Sequence, residues 1–139
     1  MLIFSLQCRT FEFVVKSPTP VAVELDPEKI NLPVSYDNCL FLLVAVEAED
    51  TTKQVARAAK ALGKAVRNTG VKQLVINGFA GLSKLPADST HSQTILSGLH
   101  SRLIEREPGL HVDTMPFGWR KEWTLDVVSG VWAQRCIHV

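Results

Sequence analysis

Apolar residues fall along this chain in distinct rhythms, and each rhythm names an element. Residues 2–7 and 11–16 form two short runs, in the second of which Phe11, Phe13 and Val15 alternate with Glu12, Val14 and Lys16. A period of two puts one face of a strand in a core, so the pair predicts an N-terminal β-hairpin around Gln7-Cys8-Arg9-Thr10. Cys39 to Val46 is an unbroken apolar run, as in a central strand covered on both faces. From Thr51 to Asn68 the spacing becomes helical: Val55, Ala58, Ala59, Leu62, Ala65 and Val66 share one stripe. Thr51 or Thr52 can cap the start, and Gly70 can take the left-handed conformation that ends a helix.

Between these elements the signal is punctuation. Pro18, Pro20, Pro27 and Pro33 break every helical period from Ser17 to Asn38, and Glu24, Asp26, Glu28 and Lys29 keep the segment wet. It reads as a long surface excursion. Val71 to Ile76 is a second buried strand, followed by Asn77-Gly78. A loop from Phe79 to Asp88 then leads to a helix opened by Ser89, or by Thr90 with Gln93 as a capping box. Ile95, Leu99 and Leu103 mark its stripe, and Pro108-Gly109 ends it. Leu110 to Met115 and Arg120 to Val128 read as strands separated by the turn Pro116-Phe117-Gly118. Ser129-Gly130 predicts a hairpin into a closing strand, Val131 to Val139. The order is β-β-β-α-β-α-β-β-β, and a mixed β-sheet covered by two helices, an α/β (α+β) arrangement, is its natural packing.

Composition narrows the class. With 139 residues the chain suits one domain, 1–139. Its 46% hydrophobic and 21% charged residues are ordinary for a soluble globular protein, and a net charge of +1 names no partner. Cys8, Cys39 and Cys136 show no zinc or redox spacing and read as thiols in a reducing compartment. The N-terminus lacks a signal-peptide pattern and no segment is long enough to span a membrane, so the expectation is a cytoplasmic protein without membrane contact.

Charge placement says more than charge total. Lys53, Arg57, Lys60, Lys64 and Arg67 recur at steps of three and four on the first helix, with no acidic residue from Thr51 to Asn68. Like charges at that spacing repel, so a one-signed stripe points to a phosphate backbone, or else to a merely solvated face.

Catalytic patterns are sparse. His91, His100, His111 and His138 lack metal-ligand spacing, no metal or other cofactor is implied, and only His91, in the first turn of the second helix, is placed near a cleft by the element order. There is no nucleophile elbow, no cysteine-protease signature and no phosphate-cradling glycine loop; Cys136 and His138 read as ordinary strand residues. Any hydrolase chemistry must therefore act on an already reactive bond, by placing water and stabilising an oxyanion. One segment stands out, Met115-Pro-Phe-Gly-Trp-Arg-Lys121. Gly118 allows close backbone approach, Trp119 offers a stacking face, and Arg120 and Lys121 bring charge to the start of a strand. A decorated β-turn is the plainer alternative.

At Pro116-Phe117-Gly118-Trp119-Arg120-Lys121 the chain resembles the N-terminal editing domain of archaeal threonyl-tRNA synthetases, whose motif is Pro-Phe-Gly-Tyr/Trp-Tyr-Lys and whose fold is that of D-aminoacyl-tRNA deacylase. Agreement extends through Phe11-Glu-Phe-Val-Val-Lys16, Val44-Ala-Val-Glu47 and Phe79-Ala80-x-Leu82-Ser83. The resemblance implies a deacylase that removes serine from threonine tRNA, with the tRNA acceptor end and a threonyl-tRNA synthetase as partners and a homodimer as the assembly. It implies that Lys121 orients water or stabilises negative charge, and that Val46, Phe79 and Ala80 wall the serine pocket beside Gly81 and the Pro116–Arg120 segment. Three positions depart from the family: its histidine is Gly81, its late glutamate is Gln134, and the tyrosine before the lysine is Arg120. A relative that binds tRNA or the synthetase without hydrolysis fits those departures, and a small-molecule binder on the same scaffold is a third reading.

Overall fold

The computed structural model describes residues 1–139 as six strands and two long helices. In chain order these are β1 (Leu2–Pro18), β2 (Val34–Ala45), α1 (Thr52–Thr69), β3 (Gln73–Gly78), α2 (Ser89–Arg106), β4 (His111–Thr114), β5 (Trp119–Val127) and β6 (Gln134–His138). Short 3-10 turns occupy Pro27–Lys29 and Ala80–Leu82. The strands form one mixed sheet in the order β4-β3-β2-β1-β5, with β6 also on β1. β2, β3 and β4 are parallel, because a helix crosses over between each pair; β1 runs antiparallel to all its partners.

The expected mixed sheet under two helices stands, and the two N-terminal runs are both extended. They are halves of one strand of 17 residues, however, and not a hairpin. Gln7-Cys8-Arg9-Thr10 contains no glycine or asparagine to supply the positive φ of a tight hairpin turn, so the chain continues straight. Its alternation slips there: Cys8 shares one sheet face with Phe11, Phe13 and Val15, whereas Ile3 lies on the other. Opposite, Asn38 takes φ +45°, and the register with β5 shifts between Cys8 and Thr10. Cys8 and Cys39 become direct cross-strand neighbours, both fully buried, a pairing that their separation in sequence concealed.

The closing hairpin also differs. β5 and β6 do not pair with each other; they lie one after the other along the same edge of β1, with Lys121 opposite Val15 and Gln134 opposite Leu6. The surface excursion ends early, since Val34–Asn38 extend β2 to match the long β1, and Tyr36 stacks on Phe11 with centroids 6.0 Å apart.

One sheet face carries both helices. Every residue of the expected α1 stripe is buried there, together with Leu40, Leu42, Leu74, Ile76, Leu99 and Leu103. Hiding a leucine or isoleucine side chain fully is worth about 1.5–3 kcal/mol, so this layer supplies most of the drive to fold. The α1 ends are as the sequence implies: Thr51 and Gln54 form a capping box, and Gly70 closes the helix at φ +73°. For α2 the cap is Asp88, whose carboxylate accepts from His91 N–H; Ser89, Thr90 and Gln93 do not have that role. The other face gathers Phe11, Phe13, Phe41, Val75 and Met115 with Trp123 packed against them.

Candidate active site

The parallel strands and the turn before β5 end around one recess. β2 brings Val44 and, just past its end, Val46; β3 ends at Gly78, and Phe79 and Ala80 follow it. The start of α2 adds Ser89, Ser92 and Leu96, and the 116–118 turn adds Phe117 and Gly118. Together with Val21 and Ala87 they enclose about 330 Å³. That is the small end of the range for ligand sites, about 300–1,000 Å³. Of the residues singled out from the sequence, Val46, Phe79, Ala80, Phe117 and Gly118 converge on this wall. The wall carries no titratable side chain, so its own chemistry is shape, the hydroxyls of Ser89 and Ser92, and backbone N–H groups.

Lys121 lies outside this wall but is tied to residues next to it. The second residue after Trp119 on β5, it sends its Nζ to Asn77 Oδ1 at 3.3 Å and to the Trp119 carbonyl at 2.9 Å. Asn77 and Trp119 are chain neighbours of the wall residues Gly78 and Gly118, although Lys121 is not itself part of the wall. Burial lowers the lysine pKa from its usual value to about 8. Both partners are acceptors, so they favour the ammonium and occupy two of its three donors, leaving one free. Asn77, only 3% exposed, was missed from sequence. Its one signal is a polar side chain closing the apolar run of β3.

The Pro116–Lys121 motif is built differently from its sequence reading. Gly118 has φ +77°, and an added Cβ would lie 2.6 Å from Ala22 Cα. The close approach it permits is to the chain's own 19–25 loop. Thr19 N–H donates to the Gly118 carbonyl at 2.9 Å and Val23 N–H to that of Phe117 at 3.0 Å. The Trp119 indole N–H donates to the Val23 carbonyl at 2.8 Å, and Arg120 Nη1 to that of Pro18 at 3.2 Å. Trp119 and Arg120 thus fasten the excursion over the site, which explains how Val21, unremarked in sequence, reaches the recess. Pro116 lines an adjoining cavity of about 460 Å³ that shares Gly78, Leu96 and Phe117 with the first.

Other candidates lie elsewhere. Gly81, in the turn Ala80–Leu82, is exposed and off the wall, and a Cβ there would meet the Phe79 ring at 3.2 Å. Gln134 opens β6 opposite Leu6, nine residues along β1 from the partner of Lys121, or about 30 Å at strand rise. Within one chain Gln134 and Lys121 therefore do not share a site. His91 lies outside the recess, with its Nε2 2.8 Å from the Asp50 carbonyl, joining the starts of the two helices. On α1 the five basic residues are all exposed. Lys53, Arg57 and Lys60 form no ion pair, whereas Arg67 pairs with Glu107 and Lys64 lies 5.3 Å over the Trp132 ring, which Arg135 also faces at 4.2 Å.

This geometry meets a family pattern along the chain. A family model described as the archaea-specific editing domain of threonyl-tRNA synthetase matches residues 1–134. The chain belongs to that family. Threonine–tRNA ligase of Cenarchaeum symbiosum is 32% identical over 128 residues, covering 91% of this chain and 19% of the ligase. That of Methanococcus vannielii is 31% identical over 117 residues, covering 82% of the chain and 18% of the ligase. The chain thus spans about a fifth of these relatives' length. Among solved structures, a c-Myc DNA unwinding element binding protein superposes with a TM-score of 0.76 at 10% identity, covering 100% of this chain and 99% of that one. A probable eukaryotic D-amino acid tRNA deacylase does so at 0.67 and 9%, covering 98% and 97%. These likenesses place the fold in the D-aminoacyl-tRNA deacylase class. No helix is long and apolar enough to cross a membrane.

Proposed function

We propose that this editing-family chain hydrolyses the ester joining L-serine to threonine tRNA. The observation that carries the reading is a half-buried lysine amine, with one donor to spare, bonded to the chain neighbours of two residues that wall a small, mostly apolar recess. Serine and threonine differ by one methyl group, worth only about 1–3 kcal/mol to a synthetase pocket built for threonine. A second recess that admits the hydroxymethyl group and crowds the extra methyl supplies the missing selection. Val44, Val46, Ala80 and Phe117 have the character such a recess needs.

The chemistry asked of the protein is modest. An aminoacyl ester is already reactive, so positioning a water and stabilising charge on the carbonyl oxygen suffice. The Lys121 ammonium supplies positive charge. Ala80, on the wall, offers a backbone N–H to an oxyanion or to the water. A ribose hydroxyl of the substrate's terminal nucleotide supplements a wall without a base. The unpaired Lys53, Arg57 and Lys60 supply phosphate contacts, and the acceptor end of threonine tRNA is the partner, within or beside a threonyl-tRNA synthetase.

Incubation with seryl-tRNA(Thr) tests the reading. Free serine should appear well above the buffer rate, and Lys121→Ala should return it to that rate. Folded protein giving no release removes the enzymatic claim. The second reading, tRNA binding without hydrolysis, draws on the distance of Gln134 from Lys121 and on the absence of a side chain at Gly81. Retained tRNA affinity with no serine release selects it.

A further inference from the structure

The wall of the recess has to be held, because two of its residues, Phe79 and Ala80, sit on a connecting segment with only one 3-10 turn of its own. Backbone bonds fasten the ends of that segment to β2 and the residue just past it: Phe79 N–H to the Val44 carbonyl at 2.8 Å, and Ala87 N–H to that of Val46 at 2.9 Å. Between those points a backbone bond runs from Ala48 N–H to the Leu85 carbonyl at 3.4 Å, and the side-chain tie is a carboxylate. Glu47 Oε1 accepts from Ser83 Oγ at 2.8 Å, and Ser83 Oγ accepts from Leu85 N–H at 3.1 Å. Ser83 N–H in turn donates to the Ala80 carbonyl at 3.1 Å, so Ser83 is bonded directly to a wall residue.

Glu47 is itself fixed from behind. Its Oε2 receives the Met1 ammonium at 2.8 Å, and that ammonium, fully buried, also meets Asp50 Oδ1 at 2.8 Å. Asp50 Oδ2 accepts from Glu47 N–H at 2.7 Å, which closes the ring. His138 stands 3.7 Å from Oε2. The ammonium and the Ser83 hydroxyl together hold the Glu47 carboxyl below the usual carboxylate range. A long, rotamer-rich side chain is thereby locked at both oxygens and presents one of them to the recess loop.

We infer that Glu47 is a positioning residue for the recess, acting through Ser83 to set how far Ala80 and Phe79 stand from Val44 and Val46. The Glu47 side chain makes no hydrogen bond to a wall residue; its effect passes through Ser83 and the loop. Recess width decides whether an added methyl fits, so loosening the tie weakens selection against threonine before it abolishes hydrolysis. The inference rests on the recess being the deacylation site.

The test compares wild type, Glu47→Gln, Ser83→Ala and the double variant. One measurement is amide exchange at Leu82, Ser83 and Ala87; the other is the ratio of kcat/KM for seryl- over threonyl-tRNA(Thr). Glu47→Gln should speed exchange at Leu82 and Ser83 by about tenfold while the Val75 amide is unchanged. It should lower the ratio by about three- to tenfold, mainly through a smaller KM for the threonyl substrate. Ser83→Ala, which leaves the Met1–Glu47 pair in place, should move both in the same direction, and the double variant should be no worse than Glu47→Gln. A lower melting temperature with an unchanged ratio overturns the inference and makes Glu47 a fold stabiliser only. Wild-type protein that releases no serine overturns the proposed function instead; the exchange comparison then decides the tie alone, and unchanged exchange sinks it.

Discussion

Helix α1 and the recess are made in opposite ways. The helix is a local object: one 18-residue segment contains its cap, its buried stripe, its basic stripe and its stop. The recess is assembled from the 19–25 loop, β2, the end of β3, the start of α2 and the turn before β5, none of which forms a pocket alone. In the first, period and composition determine structure directly. In the second, the shape depends on where distant segments are pinned, so a single pin matters more than any stretch of pattern.

The sharpest way to test that contrast is a pair of glycines with similar backbone angles. Gly118 and Gly70 have φ +77° and +73°, but a Cβ on Gly118 would run into Ala22 and the Val21 carbonyl, while nothing lies within 4 Å of one on Gly70. Gly118→Ala should cost about 3 kcal/mol or more, and Gly70→Ala about 1 kcal/mol, in urea unfolding. Equal losses would mean the 19–25 loop does not depend on the motif.

Next in size is Lys121→Met. Deacylation should fall at least about a hundredfold, equal to about 2.7 kcal/mol of barrier. Stability should be kept, since an ammonium in a half-buried place is replaced by an apolar side chain. If the fold collapses instead, the lysine belongs to the scaffold.

Changing Arg57 and Lys60 together to glutamine should leave unfolding within about 0.5 kcal/mol of wild type. Affinity for tRNA should drop about tenfold at low salt, with a shallower salt dependence by roughly two ions. Unaltered tRNA binding would reduce the stripe to a solvated face.

The mildest effect is pH dependence. With a pKa near 8, Lys121 is mostly charged at pH 7 and mostly neutral at pH 9. If the ammonium stabilises the reacting carbonyl, enzymatic release, corrected for base hydrolysis, should decline through pH 8. A rise there would assign the neutral amine a base's role. Stability has the opposite sense: the unfolded chain holds this proton up to the ordinary lysine pKa, so the burial penalty is complete below about 8 and is relieved as pH rises from there toward 10.5. Lys121→Met should flatten that segment of the stability profile.

What could be read from sequence follows the same division. The α1 stripe, its Thr51 cap and its Gly70 stop needed only local pattern, as did the buried runs of β2 and β3. The N-terminal hairpin failed because alternation reports which face is buried, not whether the chain turns back; the slip across Arg9 and Asn38 looks like a break when β2 is not in view. The closing hairpin failed because Ser129-Gly130 permits a turn, but the free edge of β1 offered the closing strand a better partner than β5. Within the site, Val46, Phe79, Ala80 and Phe117 were reached through family resemblance, since no spacing rule links them. Asn77, Val21 and Glu47 were missed because each acts only once other segments are in place.

The long first strand has a consequence for the order of events at the ribosome. Leu2 pairs with Ala45 on one side and with His138 on the other, so half of the strand's hydrogen-bonding edge stays open until β5 and β6 are available. A chain emerging at about 5–20 residues per second exposes that edge for several seconds after β2 has docked. During that interval the unfinished sheet is open to pairing with a neighbouring nascent chain, and cooler or slower synthesis lengthens it.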